Sequence, residues 1–434
     1  MTKKMKFRHL GALVLVLSLV AVACGDDDAT TTTTAAPVAE FTPGALGAVS
    51  LADGDAVEIR ALQAISGDVE FLGTDQVRGI ELAIEDYGDI NGHAVNLGTV
   101  EDDLCSAEGG QAGAQAILAQ EGVLGVIGTT CSGAAAAASP LLSAAGMVLV
   151  SGSNTSPSLS SDLAGTAGEN YHAGYYRTAH NDLFQGATAA RFAFEELGFT
   201  KAAAIHDGDP YTDGLATAFA DAFIALGGEV VVYTAVNKGD TDMTAVLTEV
   251  SAGAPEIVFF PIFPPEGDFV IQQAGGVAGL DGVTWFGADG ILVDSFMSLP
   301  ESEGMYFSGP DLRFGTNQGV TGVTYNELVA RYEADYGEAP PAPFHAHTYD
   351  AAMMLMSAIE AVAVVTTDGT MHVDRQALRD ELDNTSGFSG VTGLLECDAF
   401  GDCGAQAIAI IQHLDSSDLA TSKANVVYSF SPTG

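Results

Sequence analysis

The stretch VLGVIGTTCSGAAAAA, residues 123–138, decides the fold. Val123 to Ile127 is a short apolar run, of the kind buried on both faces of a parallel sheet. Gly128-Thr129-Thr130-Cys131-Ser132-Gly133 is a loop of small and polar residues, and the alanines after it favour helix. A strand that hands over to a helix through such a loop turns free backbone N–H groups and the positive end of the helix dipole outward. With the hydroxyls of Thr129, Thr130 and Ser132 added, the loop reads as a grip for an anion, specifically a small carboxylate.

Outward from this stretch, the same unit repeats from Ala56 on. Strands are predicted at Val57–Ala64, Ala94–Glu101, Val123–Ile127, Met147–Ser151, Ala202–Asp207, Glu229–Thr234, Ile257–Pro261, Thr284–Gly287 and Gly304–Ser308. Helices fit between them at Gly73–Tyr87, Ala107–Gln120, Gly133–Ala145, Phe184–Leu197, Thr212–Leu226, Thr241–Ser251 and Gly267–Ala274. This βαβα order predicts parallel, doubly wound sheet. The strands are too many for one compact sheet, so two similar α/β lobes are expected. The Tyr- and His-rich stretch from Tyr171 to His180 interrupts the pattern and ends the first lobe near Thr178. The C-terminal third adds helices over Gly319–Tyr336 and Tyr349–Val364, then strands around Thr392–Glu396 and Ala405–Ile411.

The N-terminus reads as processing signal. Lys3, Lys4, Lys6 and Arg8 precede an apolar run, Leu10 to Ala23, that is too short for a comfortable membrane span. Val20-Ala21-Val22-Ala23-Cys24-Gly25 has the form of a bacterial lipobox, with Cys24 as the lipidated mature N-terminus and Ala21 where Leu is commoner. The other reading is an ordinary cleaved signal with a stray cysteine. DDDATTTTTAAP, residues 26–37, is polar and of low complexity, and suits a flexible spacer.

The 434-residue chain carries 57 acidic against 15 basic residues, a net charge of −42, so a phosphate backbone would be repelled. The acid is scattered, as on a solvated surface, and fits an ion-rich habitat where screening relieves self-repulsion. A hydrophobic fraction of 47% is enough for full cores and argues against global disorder.

There are five cysteines. With Cys24 lipidated an even set remains, in an exported and oxidising setting. Cys397 and Cys403 flank Asp398-Ala399-Phe400-Gly401-Asp402, a turn-rich tip across which a local bridge is natural. Cys105 is then left with Cys131, a bridge that would pin the 128–133 loop and stabilise by about 3 kcal/mol. The alternative, a metal held by these cysteines, lacks any CxxC pairing.

Further residues resemble a known family. Glu101-Asp102-Asp103-Leu104-Cys105, Val126-Ile127-Gly128 with Cys131-Ser132, and SGSNTSPSL at 151–159 are similar in order and spacing to the leucine/isoleucine/valine-binding proteins. These are the extracytoplasmic receptors of branched-chain amino-acid ABC transporters. Ser66-Gly67, Ile205-His206-Asp207 with Tyr211 and Gly214, Gly239-Asp240-Thr241-Asp242, Gly287-Ala288-Asp289-Gly290 and Tyr349-Asp350-Ala351 extend the resemblance over nearly all of Ala56 to Gln412. It implies a type I periplasmic-binding-protein fold, in which two doubly wound α/β lobes are joined by three crossovers, near Arg177, Gly309 and Gly390. The chain would then divide into a lipoprotein signal peptide (1–24), a tether (25–55), a first lobe (56–177 and 310–390) and a second lobe (178–309 and 391–434).

The resemblance also implies a ligand held between lobes that close by hinge motion. Ser132 and Asn154-Thr155 match the family's carboxylate grip. Asp289 matches the acidic residue that takes the ammonium, with a shorter side chain than the usual Glu, and Tyr211 matches an aromatic cover. Two positions depart. Leu72, with Phe71 beside it, stands where the family has an aromatic, and Phe263 falls in IFPPE where the family has a tyrosine-rich loop. Both departures lie where side-chain selectivity would be set.

The chemistry is coherent without the family. A zwitterionic amino acid needs donors for its carboxylate, an acceptor for its ammonium and an apolar wall. Ser132, Thr155 and Asp289 each follow a predicted strand, where a binding crevice forms in α/β sheets. Taken singly, such residues are commonly helix caps or turn residues. Family correspondence is what assigns them to a ligand. No Gly-x-Ser-x-Gly elbow, phosphate loop or His-Glu-x-x-His is present, so the chain is not read as an enzyme. His345-Ala346-His347 lacks a third ligand at metal spacing and reads as the lead-in to a helix, and no metal or cofactor is expected. The function expected is a monomeric, lipid-anchored solute-binding protein on the outer face of the cytoplasmic membrane. It would capture a small apolar amino acid and deliver it to an ABC permease. The alternatives are a receptor of this fold for amides, urea or other small carboxylates, and a ligand sensor for a signalling partner.

Overall fold

The computed structural model describes residues 41–431. The leader, the Cys24 lipidation site and the first part of the tether lie outside the described residues. Within them, the Val123–Gly128 strand is buried along its whole length near the middle of a six-stranded parallel sheet. Val57–Gln63 flanks it on one side, followed by Val95–Asn96 and Glu101–Asp102. Val148–Ser151 and then Tyr175–Arg177 lie on the other side. The expected strand over Ala94–Glu101 is two short ones, because Gly98 between them turns left-handed (φ +63°) against the Arg60 guanidinium. Helix Glu70–Tyr87 packs on His345–Val362, and Ala107–Leu118 on Ser132–Ala144.

The second sheet has seven strands. Lys201–His206 lies between Glu229–Ala235 and Ile257–Phe259, and Thr284–Gly287 and Tyr306–Pro310 continue it in parallel. Ile408–Gln412 and Val426–Phe430 close the far edge antiparallel. The chain thus forms two α/β lobes. Their cores differ in kind. The second is built on aromatic rings, with Phe219 stacked on Phe259 (centroids 4.5 Å apart) and Phe286 edge-on to Phe259. The first is mainly aliphatic, with Ile80, Leu124, Ile127, Met353, Leu355 and Ile359 buried together and Tyr176, Tyr332 and Tyr349 as its rings.

Several boundaries move. Residues 48–51, assigned to the tether, form a strand antiparallel to Met371–Asp374, with Val49 and Leu51 buried in the first lobe's core. The helix expected from Gly319 begins at Tyr325, after a capping box of Thr324 and Glu327. The helix expected over Phe184–Leu197 runs Asp182–Arg191 and then widens into a π turn. The crossover placed near Gly390 comes later. Phe388–Gly390 and Gly393–Leu395 form a hairpin whose tip is held by the buried Asp350 carboxylate of the first lobe, which accepts from Val391 and Thr392 N–H. The chain re-enters the second sheet only at Ile408.

Between the sheets a buried ion pair joins two of the crossing segments. Arg177 donates to Asp402 at 2.6 Å, and both side chains are almost wholly buried. Asn181 and Ser160 also donate to Asp402, and these groups with Arg177 hold its carboxyl below the usual range despite burial. The Cys397–Cys403 bridge closes the turn that carries Asp402. A charge pair this buried is retained only when its hydrogen bonds are complete, and it fixes the two segments in one geometry.

Candidate functional site

The site lies at the C-terminal ends of the parallel strands, where both sheets face each other. In each sheet it falls where consecutive strands diverge to opposite sides, the usual crevice of doubly wound folds. Leu72 and Ser132 follow two adjacent strands of the first sheet, and Tyr211 and Phe263 follow two adjacent strands of the second.

The 128–133 loop is braced from behind. Gly128 has φ +147° and lies so close to the Leu62 carbonyl that a Cβ would collide with it, so only glycine serves. Cys131 is bridged to Cys105, with Cα atoms 5.0 Å apart. The buried Asp103 carboxylate accepts from Thr130 N–H (2.6 Å) and Cys105 N–H (2.7 Å). Burial nevertheless raises its pKa to about 7. The two threonine hydroxyls, read as part of the anion grip, turn inward. Thr130 donates to Gln63 and accepts from Ala64 N–H, and Thr129 donates to the Cys131 carbonyl. Both were available to the protein's own buried donors and acceptors, which must be satisfied first.

Ser132 is the first residue of its helix, with Cys131 at the cap position, so Ser132 and Gly133 carry N–H groups without helical acceptors. The Ser132 hydroxyl has only a long contact, 3.4 Å from Ser156 N–H. Asn154 and Thr155 are buried but do not line the cavity. Asn154 is turned behind the loop, where its amide donates to the Thr129 and Thr130 carbonyls. Thr155 backs onto the start of the Asp182–Arg191 helix, its carbonyl accepting from Asp182 N–H.

Across the cleft, Asp289 is 3% exposed and its pKa is raised by burial to about 6. It accepts from the Gln185 amide at 2.5 Å and the Tyr211 hydroxyl at 3.2 Å. Gly290 N–H donates back to Tyr211, so the ring is locked to the Asp289 turn. Phe263 packs on Tyr211 with centroids 5.1 Å apart. Behind Asp289 sits a second carboxyl, Asp182, wholly buried, whose pKa is pushed far up by burial and by Asp289.

Five of the predicted residues therefore converge. Leu72 and Ser132 of the first lobe and Tyr211, Phe263 and Asp289 of the second line one cavity. Its free volume is about 20 Å³, room for one water, because the lobes meet over it. Gly133 of the first lobe abuts the Asp209 carboxylate of the second, and Lys238 pairs with Asp209 (3.2 Å) and donates to the Cys105 carbonyl across the gap. Thr130 and Cys131 of the 128–133 loop also line it, and Gln76, Ser153, Gly290 and Phe344, which were not singled out from sequence as ligand contacts, complete the wall. Gln76 lies one helical turn from Leu72, and Ser153 adjoins Asn154, so spacing pointed to both. Nothing local marks Phe344, which arrives from far along the chain. Among the described residues no cluster of His, Cys, Asp and Glu is arranged to hold a metal, and no helix is long and apolar enough to cross a membrane.

The sequence profile of the periplasmic binding protein family matches residues 56–412. The chain belongs to this family. A leucine-specific-binding protein of Salmonella typhimurium is 26% identical over 369 residues, 84% of this chain and 92% of that protein. The crystal structure of a leucine binding protein, LivK, from Thermotoga maritima superposes with a TM-score of 0.73 at 24% identity, covering 87% of this chain and 99% of that one. A solute binding protein of an ABC transporter from R. palustris, solved in complex with benzoate, gives 0.67 at 19% identity, covering 83% and 94%. The two-lobed architecture is thus that of a periplasmic binding protein, a family of solute receptors.

Proposed function

We propose that this periplasmic binding protein captures a small apolar amino acid, of the branched-chain type, and delivers it to an ABC transporter permease. The observation that carries the reading is the facing of Ser132 and Asp289 across one closed cavity. The Ser132 hydroxyl and amide take the carboxylate at a helix N-terminus. Asp289 takes the ammonium, and Leu72, Tyr211, Phe263 and Phe344 surround the side chain. Asn154 acts on the ligand through the loop it supports, and Thr155 through the start of the Asp182–Arg191 helix. Mechanism is binding and closure: a ligand that touches both lobes stabilises the closed arrangement, which the permease recognises. The leucine-binding relatives support the substrate class. Export and lipid anchoring at Cys24 follow from the sequence reading of the leader, and the protein would act as a monomer.

Calorimetric titration of the purified chain with leucine, isoleucine, valine, benzoate and urea tests this. Saturable binding of an aliphatic amino acid is expected, and no heat or thermal shift with any of them overturns the small-solute reading. A second reading, an aromatic carboxylate, is favoured by the Tyr211–Phe263 pair and by the benzoate-bound neighbour. Asp289→Asn separates the two, since benzoate has no ammonium and would bind the variant undiminished.

A further inference from the structure

A larger cavity, about 220 Å³, lies behind the cleft beside the Pro310–Arg313 crossing segment. Its wall is mostly apolar and comes from both lobes. Tyr325 and Val329 belong to a first-lobe helix, and Ala409, Ile411 and Val426 to the antiparallel edge of the second sheet. An apolar cavity of about 150 Å³ takes up benzene, so this volume has room for a larger ring.

Five polar residues interrupt the apolar wall: Asp311 and Arg313, which pair with each other, Lys423, which pairs with Asp294, and Tyr325 and His345. His345 is 2% exposed, and its Nε2 has no hydrogen-bond partner. Its Nδ1 faces two acceptors, the Ala342 carbonyl at 3.3 Å and Asp75 at 3.6 Å, so in the neutral ring the proton sits there and Nε2 is an acceptor. Tyr325 stacks on the same imidazole with centroids 6.0 Å apart.

This cavity also shares walls with the ligand cleft. Ala342, Pro343 and His345 line the rear cavity while Phe344 between them lines the cleft. Leu292 lines the rear cavity and its N–H is bonded to the Asp289 carbonyl. An occupant would touch both lobes on the side away from the cleft while they are closed.

We propose that this hinge-side cavity is a second ligand site. It takes a small aromatic molecule with one N–H or O–H donor, of the indole or phenol class, and its occupancy favours closure over the cleft ligand. The coupling half of this inference rests on the proposed amino-acid site, whereas the cavity itself does not.

The probe is indole, titrated into the ligand-free full chain and followed by saturation-transfer NMR. Saturable binding is expected, weakened about fivefold for 1-methylindole, which lacks the donor. Val329→Trp and Val426→Trp, two half-buried positions on opposite walls, are each expected to fill the cavity and abolish indole binding. Saturating indole should tighten leucine binding about fivefold, at the low end of ordinary coupling between sites. No saturable indole binding, or equal binding to both Trp variants, overturns the site. Equal affinity for 1-methylindole overturns the role of His345. Weaker leucine binding in the presence of indole means that indole enters the cleft, and also overturns the site. Unchanged leucine affinity with indole bound overturns the coupling. If leucine does not bind at all, the proposed substrate fails while the indole titration still decides the cavity.

Discussion

The two walls of the cleft are held in place by different means. On the first lobe, the grip for a carboxylate is backbone and the Ser132 hydroxyl, and what fixes it lies behind it: a disulfide, the Asp103 carboxylate, the Asn154 amide and a glycine no other residue can replace. On the second lobe, the surface is side chains, and they hold one another through Gln185, Asp289, Tyr211 and Gly290. The first wall is therefore rigid and chemically general, suited to any small carboxylate. The second carries the charge and two of the three rings, Tyr211 and Phe263, and any selectivity in the pocket rests more heavily there. It follows that substitutions behind the first wall act on stability, and substitutions on the second act on affinity.

The largest effect should come from removing the brace. Cys105→Ser with Cys131→Ser is expected to lower stability by about 3 kcal/mol, as loop-closure entropy predicts for a loop of this size. Urea denaturation measures it. The shorter Cys397–Cys403 loop should yield about 2 kcal/mol on the same scale. Equal losses from both pairs would argue against loop closure as the cause.

Next is the charge. Asp289→Asn should weaken leucine binding about 100-fold, the size expected when one partner of a buried charge pair is lost. Melting temperature should change little. An affinity within a factor of two of the parent would remove Asp289 from the site.

The same group makes binding depend on pH. Leucine needs the Asp289 carboxylate, whose pKa in the ligand-free protein is raised to about 6. Affinity should be flat above pH 7 and fall by up to about tenfold per unit well below pH 6. Burial and the Asp289 charge push the Asp182 carboxyl behind it well up as well. Calorimetry from pH 5 to 8 tests this, and Asp289→Asn should flatten the profile. Stability has its own pH dependence at the first wall. Asp103, raised to about 7 when folded, contributes stability that is full below its unfolded value near 4 and is lost as pH rises through 7. Asp103→Asn should reduce that decline in melting temperature without altering the pH profile of binding.

The smallest effect is expected at Ser132→Ala, about fivefold in affinity, because one neutral hydroxyl is lost while the helix-terminal N–H groups remain. A loss as large as that of Asp289→Asn would show that the first wall carries more than a general grip.

Much of this was legible in the chain itself. Strand and helix order, the two lobes and both disulfides follow from local apolar runs, small-residue loops and cysteine spacing. The convergence of Leu72, Ser132, Tyr211, Phe263 and Asp289 was implied by the family resemblance, and it agrees with strand C-terminal ends in doubly wound sheets meeting at one crevice. What was misread depended on partners distant in sequence. Thr129, Thr130 and Asn154 have the right chemistry for a ligand, but buried groups of the protein claim them first. Residues 48–51 looked like tether until Met371–Asp374 supplied a pairing edge. The hairpin at Phe388–Leu395 stays with the first lobe because Asp350 captures its tip.

The sequence by itself determined which chemical groups stand at the strand ends, since that depends on pattern and period alone. Only the tertiary structure decided which of those groups face the cleft. A hydroxyl or amide turns toward a ligand or toward the interior according to which buried donors and acceptors are near, and several of those come from other strands and loops of the sheet, up to 67 residues away.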